Sequence, residues 1–342
     1  MGVNLGNIVP KEEIKFEDLK NKVVGIDAFN ALYQFLSSIR GQDGSLLQDS
    51  RGNVTSHLQG LFSRTLNLMG KGIKLVYVFD GKAPELKSQQ RQARDNRKIA
   101  AEHNYNEAKD EEDLELMYKY SKQFLRLNSE MINESKELII AMGIPVVQAP
   151  SEAEGQVAFM CKNKDIDFAA SQDYDSVLFG APKLIRNLTL SQKRKINGGR
   201  TVFTFLEFVE LEKTLKELNI SHNQLIILGI LSGTDFNIGG VRGIGPKKAL
   251  TIVKRHTDTE EGFDELFKEL NVDFNWKEVY NIFKNLPVDN NYKLKWNDLD
   301  EEKVKEILIK RHDFNLERIQ SLLDKYSSEN KLKGQKGLGE FF

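Results

Sequence analysis

Residues 23–36 read VVGIDAFNALYQFL, and the fold is decided there. A short β-branched run, Val23–Asp27, ends in an acid and passes at once into helical spacing, with Phe29, Leu32, Leu36 and Ile39 recurring on one face of Ala28–Ile39. A strand feeding directly into a helix is the repeating unit of a parallel sheet, because parallel neighbours need a crossover. The pattern recurs on either side. Lys74–Asp80, Ile144–Gln148, Phe168–Ser171 and Leu184–Leu188 are short apolar runs bounded by polar residues, several separated by long helical stretches. The expected fold class is α/β, a mostly parallel central sheet flanked by helices.

Composition narrows the setting. The chain has 342 residues, 40% hydrophobic and 29% charged, enough for a full core without covalent staples. One cysteine, Cys161, excludes a disulfide framework or a Cys-based zinc site and points to a reducing compartment. The longest apolar run, Leu138–Val147, contains Gly143 and Pro145 and is too short to span a membrane. The first residues, MGVNLGNIVPKEE, lack a signal-peptide core, so a cytoplasmic protein without a membrane partner is expected.

Five regions follow from changes of character along the chain. Residues 1–80 and 131–220 read as two parts of one α/β unit. Residues 81–130 form a helical insertion, far longer than one crossover requires. Within it Lys82–Lys98 carries six basic and two acidic residues, and Glu107–Glu115 six acidic residues and one lysine. Residues 221–326 read as helices at Ser221–Leu231, Pro246–Lys254, Glu260–Leu270, Trp276–Asn285, Glu301–Arg311 and Leu316–Tyr326. Residues 327–342 read as a polar, flexible tail.

Acids stand at the exits of four strands. VVGID ends at Asp27 and LVYVFD at Asp80; VVQAPSEAE carries Glu152 and Glu154; AASQDYD carries Asp173 and Asp175. Asp235 follows in LSGTDF. Each alone reads as a cap or turn residue, with Asp27 and Asp175 placed for helix N-caps and Ser151 with Glu154 for a capping box. Together they mark the carboxyl edge of the sheet, where ligand sites of open α/β folds lie. Crowded carboxylates resist ionising together unless cations neutralise them, and an all-oxygen set without His or Cys selects Mg²⁺, with Mn²⁺ as substitute. Two such ions are a standard device for cutting a phosphodiester. Net charge is −1; with the seven acids set aside, 49 basic residues face 43 acidic ones, which suits a polyanionic substrate.

Lys87, Arg91, Arg94 and Lys98 recur at steps of four, three and four on one helix face, either a phosphate-binding stripe or a solvated one. GGVRGIGPKKAL (239–250) reads as a helix–hairpin–helix. Gly243 and Gly245 allow a tight turn, Pro246 starts the helix, exposed N–H groups meet phosphate, and Lys247 and Lys248 add charge. Gln192–Lys195 followed by Asn197-Gly198-Gly199 reads as a basic hairpin tip, more simply an exposed turn than a DNA contact.

The stretches GIDAFNALYQFL (25–36), TSHLQGLFSRT (55–65), VYVFDGKAPELK (76–87), PSEAEGQVA (150–158), SQDYDSVLFG (171–180) and GGVRGIGPKKAL together resemble the archaeal-type flap structure-specific endonucleases of the 5′ nuclease family. The resemblance implies a helical arch in the 81–130 insertion. It implies two metal ions, one amid Asp27, Asp80, Glu152 and Glu154, the other amid Asp173, Asp175 and Asp235. It casts Lys87 and Arg94 as catalytic residues at the scissile phosphate, Tyr33 as a ring stacking on a base, and Arg40 as a contact to duplex or flap. Packing and a solvated helix end are the alternatives for Tyr33 and Arg40. The resemblance also implies a monovalent cation at the helix–hairpin–helix loop. Gln335, Leu338, Phe341 and Phe342 match the box by which such enzymes dock a sliding clamp (PCNA).

The implied activity is a Mg-dependent 5′ flap endonuclease, with 5′–3′ exonuclease activity beside it, working as a monomer on branched DNA in Okazaki-fragment maturation and base-excision repair. The setting is the nucleoid of an archaeal cell. A duplex exonuclease, a bubble-cutting repair nuclease or a junction resolvase keeps the chemistry with another substrate. A clamp-tethered scaffold without catalysis would have tolerated loss of a site acid, and all seven are present.

Overall fold

The computed structural model describes residues 3, 5–41, 45–110, 116, 119–120, 123, 125–190, 193–195 and 201–338. The strands are β1 Glu12–Ile14, β2 Val23–Asp27, β3 Lys74–Phe79, β4 Val146–Gln148, β5 Phe168–Ala170, β6 Lys183–Arg186, β7 Lys193–Lys195, β8 Thr201–Phe203 and β9 Leu206–Glu210. Seven build one sheet in the order β1–β9–β6–β5–β2–β3–β4. The five central strands pair in parallel, whereas β9 runs antiparallel to β6 and β1 antiparallel to β9. The expected parallel sheet is present, and it has an antiparallel edge that the sequence reading did not anticipate. β1 and β9 both carry glutamates, which hides them in a search for apolar runs, and those of the outermost strand β1 suit an edge that must not recruit a further strand. β7 and β8 pair as a separate hairpin; its expected tip, including Asn197 to Gly199, lies outside the described residues.

Helices α1 Ala28–Ser38, α2 Ser56–Gly70, α3 Ser88–Asp110, α4 Ser129–Ala141, α5 Ala153–Lys162 and α6 Asp175–Leu178 fill the connections within the sheet. Helices α7 Leu211–Leu218, α8 His222–Ser232, α9 Pro246–Val253, α10 Glu260–Glu269, α11 Trp276–Asn285, α12 Glu301–Lys305 and α13 Leu316–Leu338 follow it. The sheet separates two cores. Because side chains alternate along a strand, Val76 and Val78 of β3 enter one core while Leu75, Tyr77 and Phe79 enter the other. The first core holds α5, α6 and α8 to α11; the second holds α1, α2, α4 and the segment from Val304 to Leu323.

The C-terminal helical region is therefore divided between the two faces of the sheet. Residues 286–300 carry the chain across without regular secondary structure, anchored where Trp296 Nε1 donates to the Leu75 carbonyl at 2.8 Å and Asn297 N–H to that of Gly143 at 2.9 Å.

Two helices differ from expectation. The stretch Glu301–Arg311 is α-helical to Lys305 and then π-helical over Glu306–Arg311, a widening that lets Arg311 reach both Glu306 and Glu137. Helix α13 continues without interruption to Leu338, through the residues expected to form a loose tail from Ser327. No proline or glycine interrupts residues 316–333, and Ser328 donates back to the Asp324 carbonyl, so nothing local stops the helix.

Candidate active site

Strand β2 leads to β3 on one side, while β5 joins its other side after the chain has passed through β4 and α5. A crevice opens where connections leave adjacent parallel strands in opposite directions, at their carboxyl ends. A cleft of about 920 Å³ lies there, lined by Asp27, Asp80, Glu152, Glu154, Asp173, Asp175 and Asp235. The tertiary structure brings all seven sequence-predicted acids into one site.

Each carboxylate has its own mooring. Asp27 caps α1, accepting from Asn30 N–H at 3.0 Å, so its cap reading and its place in the cleft are both true. Asp80 accepts from Ala153 N–H at 2.6 Å, which ties the end of β3 to the start of α5. Glu152 is the N-cap residue of α5, but its side chain makes no capping bond; the expected Ser151 capping box does not form. Glu154 accepts from the Ser171 hydroxyl at 2.9 Å. Asp173 accepts from Asn30 Nδ2 at 3.2 Å. Asp175 sits just inside α6, after Tyr174 at the N-cap, and accepts from Val3 N–H at 2.9 Å. Asp235 is held by the Thr234–Asn237 turn beside it and accepts from Arg94 at 2.9 Å.

Crowding inside a buried cleft disfavours ionisation. Burial, with Asp80 and Asp173 adding repulsion, pushes Asp27 up to about 8 against the Asn30 N–H and Lys87. Burial and then Asp235 and Asp173 raise Asp175 to about 7, although Val3 N–H and Lys87 pull the other way. Burial and Glu152 raise Asp80 to about 6, with Ala153 N–H, Lys87 and Arg91 opposing. Glu154 is raised well above the carboxylate range by burial and by Asp175, Asp27 and Asp173. Fully ionised, the cluster would carry more negative charge than its own surroundings compensate.

Part of the compensation is internal. Lys87, in the 3₁₀ turn Glu85–Lys87 ahead of α3, pairs with Glu152 and lies 3.7 Å from Asp235. Burial alone would lower its ammonium; Glu152, Asp235 and Asp80 more than offset that and raise it. Arg91, Arg94 and Lys98 follow on α3 and line the same cleft. Among the described residues no three acids close into a ready-made cage for a cation.

Tyr33 lines the cleft from α1, with Lys98 Nζ 5.4 Å from its ring centroid. The core face of α1 is Ala28, Ala31, Leu32, Phe35 and Leu36, rotated from the expected stripe, which leaves Tyr33 half-buried at the opening. Arg40 stands outside the lining, its Nε donating to the Ser37 carbonyl and its backbone bridged to Leu46.

The glycine-rich segment after α8 is likewise outside the cleft lining. Gly240 has φ +57°, and a Cβ there would lie 2.4 Å from Gly233 N and from the Leu231 carbonyl oxygen, so only glycine fits. Gly243 is also left-handed, Gly245 is the N-cap of α9, and Pro246 opens that helix with Lys247 and Lys248 in its first turn. This is the hairpin-and-helix geometry the sequence implied. Gln335 and Leu338 fall in the last turns of α13; Phe341 and Phe342 lie outside the described residues.

Sequence reading missed Asn30 and Ser171. Nothing in composition or spacing marks them, because their role arises from contacts between α1, α5 and the exit of β5.

Two family models match, the XPG N-terminal domain over residues 1–101 and the XPG I-region over residues 143–235; together they contain all seven acids. The chain is 47% identical to a protein named flap endonuclease 1 from Thermococcus onnurineus, over all of this chain and 99% of that one. The solved flap endonuclease-1 from Methanococcus jannaschii superposes with a TM-score of 0.76 at 39% identity, covering 97% of this chain and all of that one. The catalytic core of Rad2 in complex with DNA substrate shares the fold, with a TM-score of 0.70 at 23% identity over 95% of this chain and all of that one. With near-half identity over its full length and every acid of the cleft in place, the chain belongs to the archaeal flap endonuclease 1 family and is a metal-dependent nuclease that cuts 5′ flaps.

Proposed function

We propose that the acid-lined cleft works with two Mg²⁺ ions, held by Asp27, Asp80, Glu152 and Glu154 on one side and by Asp173, Asp175 and Asp235 on the other. The observation that carries the reading is the convergence of seven acids in one cleft, where burial and mutual repulsion make Asp27, Asp80, Glu154 and Asp175 harder to ionise than ordinary carboxylates. Divalent cations would relieve that repulsion, and the donor set is all oxygen. When bound, such ions supply an activated water and neutralise the charge on the departing oxygen.

The chain's own groups do the rest. Lys87 and Arg94 reach the cleft from the base of the insertion and are placed to meet a phosphate as charge builds on it. Tyr33 offers a ring at the opening for an unpaired base, with Arg91 and Lys98 beside it for backbone phosphates. Helix α3, 23 residues long, begins the arch through which a single strand would pass. Gly243, Gly245, Lys247 and Lys248 suit sequence-independent grip on duplex phosphates, and Arg40 the neighbouring strand. A monovalent cation fits the same glycine-rich loop through its backbone carbonyls. The tail residues Gln335, Leu338, Phe341 and Phe342 would dock a sliding clamp, which suits work in replication and repair in an archaeal cytoplasm.

The decisive experiment compares a labelled double-flap substrate with a blunt duplex, each with Mg²⁺ or EDTA, for the native chain and Asp80→Asn. Flap cutting that needs Mg²⁺ and disappears in Asp80→Asn, with DNA affinity nearly unchanged, supports the reading. Substantial cutting by that variant in Mg²⁺ sinks it.

A further inference from the structure

Two neutral side chains join carboxylates that come from different elements. Asn30 lies one turn into α1, and its backbone N–H already satisfies the Asp27 cap. Its side-chain amide is therefore not needed for capping, and it points across the cleft to Asp173 Oδ2 at 3.2 Å. Ser171, buried at the exit of β5, donates its hydroxyl proton to Glu154 Oε1 at 2.9 Å and accepts from Asp173 N–H at 3.2 Å. The result is a chain of contacts running Glu154, Ser171, Asp173, Asn30, Asp27. It ties α5, the β5 exit and α1 together through three acids.

We infer that Asn30 and Ser171 are positioning residues that orient the Asp173 and Glu154 carboxylates for cation binding, and so set how the two halves of the cluster face one another. This rests on the metal reading above.

The chemistry favours it. A carboxylate has two oxygens and free rotation about its last bond; a donor on one oxygen fixes the plane and leaves the other for a cation. Both donors are neutral, so they orient Asp173 and Glu154 without competing for the charge a cation must meet. A lysine in either place would compete. The burial that raises Glu154 also strengthens its bond from Ser171, because little water is present to replace it. Groups that orient ligands in this way change ion affinity or activity by about 10- to 100-fold when removed.

A purely structural role makes a different forecast. Asn30→Leu keeps size and removes both donors from a helix whose cap is unaffected, so folding stability in EDTA should stay within a few degrees. Ser171→Ala removes the hydroxyl with little change of volume and serves as the second, independent variant.

The test is Mn²⁺ alone, titrated without DNA into the full chain, with free aquated ion followed by electron paramagnetic resonance and heat by calorimetry. Native protein should bind saturably. Asn30→Leu and Ser171→Ala should each move the midpoint about 10-fold or more to higher Mn²⁺, and the Mg²⁺ needed for half-maximal cleavage should move in parallel. The double variant should be much less than multiplicative, because both residues act on Asp173. Unchanged Mn²⁺ binding in both variants, whether cleavage or melting falls or not, overturns the inference while leaving the metal reading standing. No saturable binding by the native chain would remove both.

Discussion

Lys87 and Arg94 pair directly with the acids, both through Asp235 and Lys87 also through Glu152. Charges so placed act most strongly when negative charge increases on a phosphate. Lys87→Ala and Arg94→Ala should each slow single-turnover cleavage by about 2–4 kcal/mol in barrier, while DNA affinity changes far less because other phosphate contacts carry it. Lost affinity with unchanged chemistry would reduce both residues to tethers. The acids themselves predict a pH dependence. Asp27, Asp175 and Asp80, raised to about 8, 7 and 6, hold protons in the folded chain where the unfolded chain has released them. The folded state binds more protons across that window, so these groups make stability fall as pH rises, fully so above about 8. Buried His57 acts in the opposite sense at lower pH. Among the described residues neither of its ring nitrogens has a hydrogen-bond partner, and burial, then His312, lowers it to about 3, so its unfavourable protonation lies below the ordinary histidine range. Between pH 6.5 and 8.5 the melting temperature in EDTA should therefore decline, and the increment given by Mg²⁺ should grow. A melting temperature in EDTA that rises across this interval would contradict the crowding.

At the level of elements, the pair α1–α2 decides where Asn30 and Tyr33 stand. Gly60 of α2 meets α1 so closely that a Cβ would lie 2.5 Å from Phe35 Cγ and 2.7 Å from Ile39 Cδ1. Neither neighbour is the loose end of an exposed chain; Phe35 is buried. Gly60→Ala should cost about 1–3 kcal/mol by overpacking and lower the melting temperature by a few degrees. It should also slow cleavage through displacement of α1, since the cleft face of that helix carries Asn30 and Tyr33. Full stability and full activity together would mean that the two helices separate without cost. The cap of α1 shows why single-residue readings were ambiguous: Asp27 is at once a helix cap and a member of the acid cluster, and local sequence reports only the first.

Over the whole molecule, one sheet with a core on each face carries the site at its carboxyl edge, and the C-terminal region contributes to both cores. The end of the chain carries the expected clamp box. Deleting residues 334–342 should leave the melting temperature and clamp-free flap cleavage essentially unchanged and abolish stimulation by a sliding clamp, because Leu338, Phe341 and Phe342 would be the anchors of that small interface. Full stimulation of the truncated chain by its cognate clamp would make the tail motif a coincidence. The strands and helices were largely legible along the chain because their signals are local: a period of two or of 3.6 and an acid at the strand exit. β2 and α11 fall at the residues expected. Six of the seven acids were legible for the same reason, since a strand end is readable without its neighbours; Asp235, which follows α8, was legible only as an acid beside a glycine-rich loop. Only the tertiary structure could decide that residues 286–300 cross the sheet, that β1 and β9 close its edge, and that Asn30 and Ser171 reach Asp173 and Glu154. These depend on contacts between residues far apart in sequence, and an amide or a hydroxyl acquires its role only from what the fold sets within about 3 Å of it.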